Sequence, residues 1–152
     1  MVKTLIYIFI FGIFVEIIKR DMREKIILNK SNLALLFCGI ILGIMEKNLT
    51  ERVLGAAVYT IPFILIYGYG SDYLEKECLG MGDIKLITSL GMLLKFKNLF
   101  KVLLFINISF VTPLIFLLGK YLLTKKIDKE IAFGPFLILA YILILILERY
   151  DN

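Results

Sequence analysis

Apolar residues in this chain come in six blocks: Val2–Ile18, Asn32–Met45, Val53–Tyr69, Ile84–Leu94, Val102–Leu118 and Ile131–Leu147. Short charged stretches separate them. Hydrocarbon offers no water to satisfy backbone groups, so a bilayer crossing takes about 20 apolar residues wound as a helix. The pattern predicts an all-α, polytopic integral membrane protein with about six transmembrane helices. The second and fourth blocks are short and must borrow flanking residues. No long polar stretch remains for a soluble module, so residues 1–152 are read as a single transmembrane domain. Met1 to Ile18 has only Lys3 as a basic n-region and no small-residue cleavage site, so it reads as a retained first span. Pro62 and Pro113 fall inside blocks, where they are read as packing geometry.

The formal net charge is +5, a value that also suits nucleic-acid binding. The basic residues instead follow the loops, as the positive-inside rule requires. Eleven of them follow the odd-numbered blocks and seven lie at the other side. This orientation places the odd-numbered loops in the cytoplasm and both termini outside, with the lipid bilayer and no nucleic acid as partner. Asp21, just past block one in a loop, and Asp83, opening block four, then share the cytoplasmic face.

There is no histidine, and the two cysteines, Cys38 and Cys78, form no Cys-x-x-Cys pair. This argues against a zinc site and excludes histidine-based catalysis, and Cys78 without a basic histidine is a poor nucleophile. Hydrolytic chemistry would have to rest on carboxylates, water or a hydroxyl, with no metal and no cofactor. Among the acids, Asp83 has the best claim. Gly80 and Gly82 flank it, and glycines let a backbone come close to another chain and take angles other residues avoid. An ionisable group at a membrane border is costly and calls for a function. Asp21, between Arg20 and Arg23, ranks second. Glu24, Asp72, Glu75, Glu77, Asp128 and Glu130 read as solvated loop charges, and Glu16 as an i,i+4 partner of Arg20.

Three segments carry a family resemblance. Gly80-Met81-Gly82-Asp83-Ile84-Lys85-Leu86 resembles the Gly-x-Gly-Asp-x-Lys-Leu motif of the type IV prepilin peptidases, which are membrane aspartic proteases. Asp21-Met22-Arg23, running on to Leu28-Asn29, is similar to that family's first aspartate motif, with Leu28 where proline is usual. Ala132-Phe133-Gly134-Pro135-Phe136-Leu137 resembles its Pro-Phe-Gly-Pro-x-Leu, with Ala132 for the first proline. The order matches across the whole chain, most closely the short members of tight-adherence pilus systems. The resemblance implies a catalytic Asp21/Asp83 pair in the cytoplasmic membrane, its active site facing the cytoplasm. Its substrates would be type IV pilin-like precursors, cut between a short basic leader and an apolar helix. Longer members carry a zinc-binding insertion and also methylate the product. That insertion has no counterpart in this sequence, so the expectation is limited to proteolysis.

The neighbouring motif residues each have two readings. Lys85 either sets the charge of the pair or contacts substrate, or it snorkels from a helix end. Arg23 either pairs with one of the two carboxylates or serves topology alone. Asn29, with Ser31, would cap the following helix. Gly134-Pro135 suits a helix start, with an indirect role in catalysis. Acidic Asp72, Glu75 and Glu77 would attract a basic leader. The competing class is a non-enzymatic membrane protein, a proton-coupled transporter or an assembly scaffold, which gives no account of three motifs in family order. Signal-peptide-peptidase-like enzymes share Gly-x-Gly-Asp, but their first aspartate usually follows a tyrosine inside a span, whereas Asp21 follows Arg20.

Overall fold

The computed structural model describes residues 1–74, 79–125 and 131–150, without the side chains of residues 71, 72 and 74. Among them the regular elements are six helices: α1 (Val2–Glu24), α2 (Asn29–Glu46), α3 (Leu49–Leu74), α4 (Met81–Leu94), α5 (Leu99–Thr124) and α6 (Gly134–Tyr150). The all-helical, membrane-spanning expectation holds. Within them Asn29–Glu46, Leu49–Gly70 and Leu99–Thr124 are long and apolar enough to cross a membrane on their own. Pro62 and Pro113 sit inside α3 and α5, which run on through them. The side chain of Asp72 and residues Glu75, Glu77, Cys78, Asp128 and Glu130 lie outside the described residues.

The helices alternate in direction. Lys3 at the start of α1 pairs with Glu46 at the end of α2 (3.3 Å), and Lys101 near the start of α5 pairs with Glu148 near the end of α6 (2.9 Å). Helix α1 packs on α2, α2 on α3, α3 on α5, α5 on α6, and α6 back on α1. Five helices thus close a ring. Inside it stands α4, which touches α2, α3 and α6.

Placement inside the ring explains how a short block becomes a stable helix. Nine of the 14 residues of α4 are buried, including Leu86, Ile87 and Leu90 at 0% exposure. Protein covers it, so its length need not match the hydrocarbon. The approach to α3 is backbone to backbone: a Cβ added at Gly91 would stand 2.8 Å from the Gly55 carbonyl oxygen. At its C-terminal end the carbonyls of Met92 and Leu93 accept from the buried Arg52 guanidinium (3.3 and 3.1 Å), which also pairs with Glu46 at 2.7 Å. These bonds satisfy carbonyls that a helix end would otherwise leave open. The outer surface of the ring is apolar too. Leu5, Ile8, Phe9 and Phe11 on α1 and Leu114, Ile115, Phe116 and Leu118 on α5 are all exposed, as a lipid-facing surface requires.

Candidate active site

The opposite end of the ring collects the C-terminus of α1 and the N-termini of α2, α4 and α6. Asp21 lies in the last turn of α1, not in a loop as the sequence suggested. The reason is periodicity. Ile10, Ile13, Phe14, Ile17 and Asp21 occupy one buried face of the helix, and Asp21 is 4% exposed. That spacing was the available signal, and the flanking arginines obscured it. Lys25 ends the helix in a left-handed conformation (φ 54°), its N–H returning to the Asp21 carbonyl.

Helix α6 reaches Asp21 from across the ring. The Gly134 backbone N–H donates to Asp21 Oδ2 at 2.8 Å. The contact between Gly134 and Asp21 is therefore direct. A Cβ there would stand 2.8 Å from the same oxygen, so only glycine lets the carboxylate this close. The positive end of α6 favours a negative charge at this point. Pro135 follows in the first turn, as expected of a helix start.

Asp83 sits in the first turn of α4, half-buried, and its Oδ2 accepts the Gly80 N–H at 3.2 Å. The glycines serve space rather than unusual angles. Gly80 has an extended backbone (φ −74°), and no described glycine has positive φ. A Cβ at Gly82 would crowd Ile27 at 3.3 Å.

Asp21 and Asp83 line one cavity of about 190 Å³, together with Lys25, Ile26, Ile27, Gly80 and Gly82. Both carboxyls lie beyond the apolar blocks of their helices. Burial first, and then the negative charge of Asp21, raise the Asp83 carboxyl to about 7 against the opposing pull of the Gly80 N–H. Burial also raises Asp21 above the usual carboxylate range, against the pull of the Gly134 N–H. Two acids that line one cavity titrate as a coupled pair.

The other motif residues fall around this pair. Lys85 is exposed, and its Nζ donates to Asn29 Oδ1 at 2.9 Å rather than to either aspartate. Asn29 consequently does not cap α2. It is the helix's first residue, Leu28 is the N-cap, and no side-chain capping bond forms. Ser31 is buried within the helix. Arg23 is exposed and pairs with neither aspartate. Glu16 and Arg20 do pair, at 3.6 Å. Sequence reasoning missed two buried polar residues, Asn32 on α2 and Ser89 within α4. A polar residue inside an apolar block was the signal for each.

Helices that alternate in direction, with two carboxyls lining one cavity at one end, define a polytopic helical membrane protein. The chain belongs to the type IV leader peptidase family, whose profile matches residues 5–147. It is 30% identical over 129 residues to a prepilin leader peptidase/N-methyltransferase of Dickeya chrysanthemi, an alignment covering 84% of this chain and 45% of that protein. A prepilin leader peptidase/N-methyltransferase of Pectobacterium carotovorum subsp. carotovorum is 26% identical over 133 residues, 86% of this chain and 47% of that protein. The chain thus spans about half the length of the curated relatives it matches. No solved structure matches it.

Proposed function

We propose that this protein is a membrane aspartic endopeptidase that removes the short basic leader from type IV pilin-like precursors at the cytoplasmic membrane face. The observation that carries this reading is the meeting of Asp21 and Asp83, from the two ends of α1 and α4, in one cavity. Family membership supplies the reaction class. With one proton shared by the pair, the ionised carboxylate takes a proton from a water, which attacks the scissile carbonyl. The protonated carboxyl donates to the carbonyl oxygen and polarises it. A cavity of about 190 Å³ has room for several waters, each needing about 30 Å³. The substrate's apolar helix lies in the bilayer against the ring, so that only the stretch next to the scissile bond must leave helical form.

The loop charges support a cytoplasmic site. Of the 18 basic residues in the sequence, 11 follow the odd-numbered blocks, whose described helix ends lie at the site end; the start of α1 and the last described turn of α6 lie at the opposite end, which this orientation places outside. The test is cleavage of a pilin-like precursor by the purified protein in lipid, read by mass. Wild type cuts at the leader boundary, whereas Asp21→Asn and Asp83→Asn, still folded, do not. Cleavage by either variant at the wild-type rate refutes the pair. Proton flux into liposomes without cleavage would instead identify a transporter.

A further inference from the structure

Asn32 stands on α2, facing the first turn of α4, and is 4% exposed. Its Nδ2 donates to the Gly82 carbonyl at 3.3 Å. Its own backbone carbonyl accepts from Ser89 Oγ at 3.0 Å, and Ser89 is fully buried two turns along α4. With the Lys85–Asn29 bond at 2.9 Å, three polar contacts bind the start of α2 to the first three turns of α4. Aspartate and cavity are not touched by Asn32 itself. The carbonyl it holds belongs to the Gly82–Asp83 peptide, and that peptide is planar. Fixing the Gly82 carbonyl fixes the Asp83 N–H on its other side, which donates to the Gly80 carbonyl at 3.0 Å. The Asp83 side chain leaves from the next atom.

Stability does not explain the choice of residue. Asn32 Oδ1 is buried without a hydrogen-bond partner among the described residues, which is unfavourable. A leucine of similar size would avoid that penalty and suit the apolar setting, but it would remove the side-chain bond that ties the Gly82 carbonyl to α2. We propose that Asn32, anchored by Ser89, is a positioning residue that fixes the Gly82–Asp83 turn and so keeps the Asp83 carboxyl turned towards Asp21. This rests on the two-aspartate reading of the site, to which it adds a residue outside the aspartate motifs.

The consequence is a coupling between Asn32 and the titration of Asp83. Among the described residues, the charged groups facing Asp83 are Asp21 and Lys25, which line the same cavity. Lys85, two residues on, turns to Asn29. From α2 come the neutral Asn29 and Asn32, α3 offers Thr60 to Thr88, and the first turn of α6 carries no titratable side chain. Release of the turn lets the Asp83 carboxyl swing towards water and away from Asp21. Both changes lower its pKa.

The experiment is a titration of ¹³C-carboxyl-labelled aspartates by NMR, in lipid nanodiscs, with Asp83→Asn to assign the signal. Asn32→Leu should lower the Asp83 midpoint by about one pH unit, and Ser89→Ala should lower it by less. In the cleavage assay the alkaline limb of the pH profile should move to lower pH by the same amount, with KM unchanged. A merely structural role would lose active protein without moving either midpoint. If Asn32→Leu does not fold, Ser89→Ala decides. An Asp83 midpoint unchanged in the folded variants overturns the proposal. The titration needs no substrate, so a wild-type protein that cuts no precursor would defeat the protease reading while leaving this test intact.

Discussion

Replacing Gly134 with alanine probes the contact by which α6 holds Asp21. The added Cβ would stand 2.8 Å from Asp21 Oδ2 and 3.2 Å from Ile27 Cδ1. Asp21 and Ile27 are both buried, and the room open to them is the cavity that they line. The carboxylate must therefore withdraw and lose its 2.8 Å bond to the Gly134 N–H. A hydrogen bond to an ionised group contributes about 1.5–3 kcal/mol. If all of that acts on the ionised state that the reaction uses, kcat/KM falls by about 10- to 150-fold. The pH profile adds a second signature. The Gly134 N–H lowers the Asp21 pKa, so its loss raises it and moves the acid limb of the profile to higher pH. Alanine is the better helix former, so propensity does not work against the fold. Leader cleavage in lipid, followed across pH for wild type and Gly134→Ala, is the assay. Activity within twofold of wild type, with an unmoved acid limb, would show that Asp21 does not depend on this contact.

Two further outcomes follow from the same geometry. Asp83 is held near 7 in the folded protein against 3.8 ordinarily, so the folded state keeps a proton that the unfolded state releases between those values. Stability accordingly falls as pH rises through that window, and Asp83→Asn, which cannot ionise, should melt above wild type at about pH 8 and level with it at about pH 4; equal melting at both would mean an ordinary Asp83. Leu28 already has the backbone of a proline (φ −69°, ψ 134°) at the N-cap of α2, so Leu28→Pro should stabilise by about 0.4–1 kcal/mol through a less flexible unfolded chain, and a lower melting temperature would refute that.

The six helices were legible because apolar blocks of this length have few other stable forms, and α4 was legible as a short one. What the sequence did not reveal was that α4 stands inside a ring, since block length does not distinguish a helix facing lipid from one covered by protein. Asp83 announced itself through its glycines. The placement of Asp21 was misjudged because Arg20 and Arg23 dominate the local charge, although the buried stripe from Ile10 to Ile17 runs on to it. Asn29 was misassigned for a different reason. Capping is a local preference, and a lysine from α4, distant in sequence, competes for the same oxygen. Gly134 acts through its own backbone N–H on a side chain of α1, and Arg52 acts on backbone carbonyls of α4; no local pattern encodes either contact.

The disparity in helix length has a consequence for the surrounding lipid. At 14 residues, α4 is about 21 Å long, whereas the 26 residues of α3 extend about 39 Å from nearly the same level at the Arg52 end. Measured along the helices, the turn that bears Asp83 therefore ends about 18 Å short of the tip of α3. The apolar thickness at the middle of the protein is about two-thirds of the 30 Å that a typical bilayer presents at its rim. Where α3 rises past the start of α4, the site end has a notch. A thicker membrane lengthens the outer wall of that notch without deepening its floor, and the mismatch must be taken up by tilt of α3 and α5 or by thinning of the adjacent leaflet.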